Sequence, residues 1–385
     1  MFSESVFMGY PVLIKEIHSK KELKQFVKFP FQLYKDNPYW VPPIIKEEME
    51  NFDPQRNPVF DHSDARLFLA YRNNEIVGRI AAIINHYEID QQQVRKIRFG
   101  WYDVIDDLEV SRALLSQVME IGKEQQLEFI EGPLGFSNLD KVGVLTYGYD
   151  HIGTMITWYN HPYYVTHLEK LGFVKSKEWL EHYFDTTHMR MDHYKRMADV
   201  VKRRYKLREL NFKKTADVLP YVDKIFALFE ETYKELASFV PISKRQISYF
   251  KKKYIPFIDP EFIKYIEDEQ GNTIAFAITM PSFSKALQKA KGHLFPFGFI
   301  PLLQAKNNPK EVLFYLIGVH PDYQKKGVVF ILFDAYAKTY HKKGITKAIR
   351  TPELETNTAI NAIWKDFDTV NHKRRRTYRK DIEPA

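Results

Sequence analysis

Two α/β domains in tandem are what this sequence predicts, and three observations carry the prediction. The chain has 385 residues, which at roughly 150 residues per domain suits two domains. Apolar residues make up 44% and charged residues 28%, too apolar a balance for wholesale disorder. One order of elements then reads twice along the chain, with slight residue identity between the copies: strand, helix, hairpin, strand, long helix, strand, short helix.

In the first copy, PVLIKEIH (11–18) reads as a strand, and Ser19 with Glu22 forms the capping box of the helix that follows. Five prolines between 36 and 62 mark an irregular excursion. The stretches 65–72 and 75–85, joined by Asn73-Asn74, carry a hairpin signal. A strand at 97–105 leads into a helix at 108–125, then a strand at 127–133, a glycine-containing loop and a short helix at 162–171. In the second copy, 207–214 is a strand, helices run to about 237 and over 243–254, and 262–280 is again strand, turn, strand. A strand at 311–319, a helix at 327–343, a strand at 345–351, a helix at 357–366 and a last strand at 369–380 follow, with 283–311 as an insert that overlaps the first of these strands at its end. The expected division is 1–186, a linker helix at 187–205, and 206–385.

Composition excludes several chemistries. With no cysteine there is no disulfide framework, thiolate metal site, iron–sulfur cluster or cysteine nucleophile. His182, His188 and His193 are spaced six and five apart, so they share no helical face, and no metal is expected. No P-loop or dinucleotide glycine fingerprint occurs, and Gly135-Phe-Ser137-Asn-Leu139 lacks the last glycine of a serine-hydrolase elbow. The N-terminus has no secretory pattern, and the most apolar window, LFPFGFIPLL (294–303), is too short and proline-broken to span a bilayer. A cytoplasmic protein with no membrane partner is expected. The net charge is +8, concentrated at 195–214 (nine Lys or Arg against Asp199 and Glu209) and in KRRRTYRK at 373–380. Such stripes suit a phosphate-bearing partner, but a solvated helix face is the favoured reading of 195–214, and nucleic acid is not favoured.

The chemistry-bearing stretch is FYLIGVHPDYQKKGVVFILFDAYAKTY (314–340), an apolar strand that passes through a short polar loop into an apolar helix. Consecutive N–H groups at a helix N-terminus hold anions, a glycine lets a phosphate approach, and the dipole adds roughly 0.3–1 kcal/mol per charge. Gln324-Lys325-Lys326-Gly327-Val328-Val329 resembles the Gln/Arg-x-x-Gly-x-Gly/Ala loop of the GNAT superfamily of acyl-CoA-dependent N-acetyltransferases. Asn357-Thr-Ala-Ile-Asn-Ala-Ile-Trp364 looks like the second motif helix of that superfamily, with Trp364 in the place of its tyrosine. The segments 132–150 and 292–303 look like a tandem-GNAT group of bacterial proteins.

The resemblance implies two GNAT-like folds, each a mixed, mostly antiparallel sheet flanked by helices. It implies acetyl-CoA or another acyl-CoA as cosubstrate, with Gln324, Lys325, Lys326, Gly327 and Val328 at the pyrophosphate. Val329 stands where the superfamily has Gly or Ala. Leu316, Gly318 and Val319 would supply strand backbone to the pantetheine arm, and Asn357 takes the asparagine position of the second motif. Glu353 or Glu355 is a candidate base, although a solvated loop carboxylate is the favoured reading of each, and Tyr378 or water is a candidate donor to the leaving thiolate. The first copy carries Asp106, Asp107 and Glu109 where the second has its lysines and glycine. At roughly 1–4 kcal/mol per close like-charge pair, these acids repel a diphosphate, so the first domain is expected to take no CoA. The expected function is acyl transfer to a small-molecule or peptide amine, catalysed mostly by positioning. An inactive GNAT-fold binding module and a Fem-like aminoacyl-tRNA-dependent transferase are the alternatives.

Overall fold

The structure, a computed structural model, describes residues 10–137, 139–234, 239–255, 258–364 and 367–383. The expected helix ends at 235–237 and 365–366, and residues 1–9 of the N-terminal segment, lie outside the described residues. In chain order the first half holds β1 (Leu13–Glu16), α1 (Lys20–Leu33), α2 (Ile45–Glu50), β2 (Ser63–Arg72), β3 (Glu75–Asn85), α3 (His86–Asp90) and β4 (Lys96–Val104). It continues with α4 (Leu108–Glu124), β5 (Phe129–Gly132), β6 (Val144–Tyr147), α5 (Tyr163–Lys170) and β7 (Val174–Asp185). The second half holds α6 (Met191–Tyr205), β8 (Arg208–Asn211), α7 (Thr215–Val218), α8 (Val222–Tyr233), α9 (Lys244–Tyr254), β9 (Ile263–Glu267) and β10 (Thr273–Pro281). Then come α10 (Ser284–Ala290), α11 (Phe299–Asn307), β11 (Glu311–Val319), α12 (Val329–Lys343), β12 (Lys347–Arg350), β13 (Glu353–Leu354), α13 (Thr358–Ile363) and β14 (Val370–Asp381).

Local chemistry sets these elements where the sequence places them. Ser19 and Glu22 close the expected capping box on α1. Asn73 and Asn74 both adopt positive φ, 49° and 62°, the geometry of a two-residue hairpin turn that leaves Arg72 opposite Glu75. The strand at β7 was not foreseen. Its sequence, VKSKEWLEHYFD, is mostly polar and lacks the alternation that marks a half-buried strand.

The chain forms two compact units, and their limits differ from the expected ones. The first comprises Met1–Trp179, Leu287–Phe299 and Lys373–Ala385, and the second Leu180–Ala286 and Ile300–His372. Within the first, β1 to β4 form an antiparallel meander, β4 pairs in parallel with β5, and β14 closes the run antiparallel to β5. Within the second, β8 to β11 repeat the meander, β11 pairs in parallel with β12, and the end of β7 closes antiparallel to β12. The final strand of each unit therefore comes from the other half of the chain. The tail is not the last strand of the second unit: Tyr378 stands opposite Gly132 of β5. Residues 187–205 are not a detached linker either, because α6 packs along α12 inside the second unit.

Each unit buries its own core. In the first, Val110, Leu114 and Val118 of α4 meet Ile80, Phe99 and Ile130 on one face of the sheet, while Phe26 of α1 meets Leu69, Ile83 and Trp101 on the other. In the second, Ile331, Leu332 and Tyr336 of α12 meet Ala275, Ala277 and Phe314. A buried ionic network stiffens the first unit: Lys96 lies 2.9 Å from Glu88 and 2.8 Å from Glu131, and Arg98 lies 2.6 Å from Glu88.

Candidate active site

The site in the second unit begins with β11. Its apolar, β-branched run pairs antiparallel with β10, and the register shifts where Ile278 faces Leu316 and Thr279 faces Phe314, so Tyr315 is the extra residue of a bulge. On the other side, the parallel pairing with β12 stops at Phe314 opposite Arg350. Beyond that point the stretch from Leu316 to Val319 has left β12. Tyr233 of α8 donates its hydroxyl to the Ile317 carbonyl there at 3.2 Å, and burial pushes its pKa up to about 12. Gly318 lies tight against β10, since a Cβ there would come within 2.5 Å of the Phe276 ring. The Val319 carbonyl accepts from the side-chain amide of Gln324 at 3.3 Å, which ties the loop back to the strand.

The loop then delivers an open helix end. Gly327 has φ +74°, a conformation that residues with a Cβ rarely adopt, and it turns the chain into α12. The first cap residue of α12, Val328, makes no side-chain cap hydrogen bond. Phe330 and Ile331 donate to the Gly327 and Val328 carbonyls at 3.0 Å each, while the N–H groups of Gly327, Val328 and Val329 find no acceptor among the described residues. Lys325 is exposed beside them. The Lys326 ammonium lies 4.5 Å from the Tyr323 ring and 5.3 Å from the Tyr205 ring, and the Arg204 guanidinium lies 5.3 Å from Tyr205. Three orphan donors, a helix dipole and nearby cations are a chemistry suited to an anion. Sequence reasoning missed Tyr205, Tyr323 and Arg204. The basic run at 195–214 was the available signal, and it is in part a paired surface: Lys202 meets Glu209 at 2.7 Å and Lys206 meets Glu269 at 3.2 Å.

The corresponding helix of the first unit is closed by its own side chains. Asp107 caps α4, accepting from the N–H groups of Glu109 at 2.9 Å and Val110 at 3.3 Å, and it is ion-paired with Arg72. His167 adds hydrogen bonds to Ser111 at 2.8 Å and Asp106 at 3.1 Å.

The nominated catalytic residues are divided between the two units. Glu353 stands on β13, ion-paired with Arg350 and accepting from the Trp364 indole at 3.0 Å. Burial pushes its carboxyl up against the pull of Arg350. Both oxygens are engaged, which is the geometry of a brace rather than of a free base. Glu355 is exposed, and its carbonyl accepts from Asn361 at 3.4 Å. Asn357 caps α13, accepting from the Ile360 N–H at 3.1 Å. Tyr378 belongs to the first unit, where it donates to Glu169 at 2.9 Å. Among the described residues no group of three potential metal ligands occurs, and no helix is long and apolar enough to cross a membrane.

Comparison with known proteins agrees with this architecture. No protein-family model matches the chain. Protein YghO of Escherichia coli (strain K12) is 27% identical over 382 residues, covering 97% of each chain. A bacterial ceramide synthase of Caulobacter vibrioides (strain NA1000 / CB15N) is 24% identical over 381 residues, covering 95% of this chain and 96% of its own. Among solved structures, a tandem GNAT protein from the clavulanic acid biosynthesis pathway, without acetyl-CoA, superposes with a TM-score of 0.56 at 12% identity, covering 97% of this chain and 99% of its own. The fold is a tandem GNAT fold, as the resemblance implied.

Proposed function

We propose that the chain is an acyl-CoA-dependent N-acyltransferase whose second unit alone takes the thioester. The observation that carries this reading is the difference between two equivalent helix ends: that of α12 has three unused N–H groups behind Gly327, and that of α4 is filled by Asp107. The residues present fit an acyl-CoA. The α12 mouth holds the diphosphate, with Lys325 and Lys326 balancing its charge, and the separated edge of β11 offers backbone to the pantetheine arm. Val329 narrows the phosphate approach but leaves its N–H available.

When bound, the acyl-CoA supplies an activated acyl group. The chain orients the thioester along β11 beyond Phe314, and rate enhancement comes mainly from holding the amine beside it. The amine nitrogen forms the new C–N bond, the C–S bond breaks, and the amine proton passes through water to the thiolate. The carboxylate of Glu353 is occupied and takes no proton in this scheme. The Caulobacter relative is a ceramide synthase by name. A ceramide is an N-acyl amide of a long-chain amino alcohol, so that class of amine is the acceptor to test first.

Calorimetric titration of the full chain with acetyl-CoA and with a long-chain acyl-CoA tests the reading. One site per chain is expected, lost in Gly327→Glu while the circular dichroism spectrum is retained. No heat at millimolar ligand would favour a binding module without acyl transfer. Retention of tRNA at physiological salt would favour the aminoacyl-tRNA reading instead.

A further inference from the structure

The apolar window too short to span a bilayer is not packed away either. Phe295 is 81% exposed and Phe297 72%, and the exposure continues along the chain through Phe299 and Ile300 to Leu303. The rings of Phe295 and Phe299 lie 6.0 Å apart. The base of this projection is fixed to the first unit. The Gln288 side-chain amide donates to the carbonyls of Pro38 at 2.8 Å and Trp40 at 2.9 Å, and the Ile45 N–H donates to the Gly292 carbonyl at 3.0 Å. Gly292, with φ +82°, seats the turn so closely that a Cβ would meet the Phe31 ring at 2.6 Å. The result is an anchored base carrying an apolar tip in water, which a soluble surface does not keep without a use.

Charge identifies the use. From Gln270 to Lys310 the chain contains no Asp or Glu but five lysines. At the average acid content of the chain, a run of this length would hold about five acids. Lys289 and Lys291, at the base of the tip, are exposed and have no acidic partner among the described residues. A protein partner would need a matched pocket for each phenylalanine. A lipid interface deforms around them, and its phosphates meet the lysines while the lysine stems lie along apolar surface.

We propose that residues 287–299 dock the protein on the interface of an anionic phospholipid bilayer. Phe295 and Phe297 enter the acyl boundary, and Lys289 and Lys291 contact headgroup phosphates. This departs from the expectation of no membrane partner, and it stands independently of acyl transfer.

Flotation of the full chain with vesicles tests it, using equal phosphatidylglycerol and phosphatidylcholine against phosphatidylcholine alone. Wild type is expected to float with the anionic vesicles. The double variant F295S/F297S should lose more than tenfold in partition with an unchanged melting temperature, since both side chains are exposed. K289Q/K291Q, or 0.5 M salt, should lower partition at least threefold. Tryptophan emission in F297W should shift to the blue on addition of anionic vesicles. Wild type remaining at the bottom of the gradient overturns the proposal, as does F295S/F297S floating as well as wild type. So does a dimer in sedimentation velocity that F295S/F297S abolishes while neither protein binds vesicles. No acyl-CoA enters the assay, so its failure leaves the acyl-transfer reading untouched.

Discussion

Arg350, Glu353 and Trp364 illustrate how little a residue type says about its task. Glu353 follows a strand at the position where a base would be convenient, yet it is committed to the guanidinium of Arg350, which itself stacks 4.7 Å from the Trp364 ring. Removing one member of a buried pair leaves the other charge uncompensated. Glu353→Gln should therefore destabilise the second unit by about 3–5 kcal/mol. Glu353→Gln combined with Arg350→Met should regain most of that loss in a urea titration. If Glu353→Gln unfolds like wild type but loses turnover alone, the carboxylate is a base after all. Gly327 is the opposite case, a residue whose role is legible from its type. Its positive φ of 74° is the left-handed conformation that favours glycine.

Paired elements carry the pH dependence. Glu131 on β5 lies between Lys96 of β4 and Lys177 of β7, at 2.8 and 2.9 Å. Burial opposes its ionisation, but the two ammonium groups outweigh burial and hold its pKa at about 2 against a usual 4.5. A depressed carboxyl stabilises the fold above its unfolded pKa, and that contribution fades as pH falls from 4.5 towards 2. The magnitude is about 3 kcal/mol. Acid unfolding of the first unit should begin in this window, and in Glu131→Gln the pH dependence there should flatten, with lower stability at pH 7. An unchanged acid transition in that variant would mean that the network does not govern it. Elements were also where the sequence was most legible. The capping box on α1, the Asn73-Asn74 turn and the apolar runs of β2, β3 and β11 are local signals. The mostly polar β7 was illegible because its stability comes from pairing rather than from its own pattern.

At the scale of the whole molecule the strand exchange has a direct consequence. Because β14 pairs with β5, a chain ending at His372 should lose the cooperative unfolding of the first unit and not that of the second. Domain-resolved hydrogen exchange would show this, and increased exchange confined to the second unit would refute it. The proposed stoichiometry of one acyl-CoA per chain belongs to this scale too, since it rests on the contrast between the capped start of α4 and the uncapped start of α12.

The sequence by itself determined the duplicated α/β order, the acid-for-base contrast between the two helix starts and the glycine turn before α12, because each is written in contiguous residues. Only the tertiary structure decided which half supplies the closing strand of each unit, that Tyr378 and Glu353 are already engaged, and that Phe295 and Phe297 face water. Those outcomes depend on contacts between residues far apart in the chain, where several pairings satisfy the same local pattern and packing energy selects one.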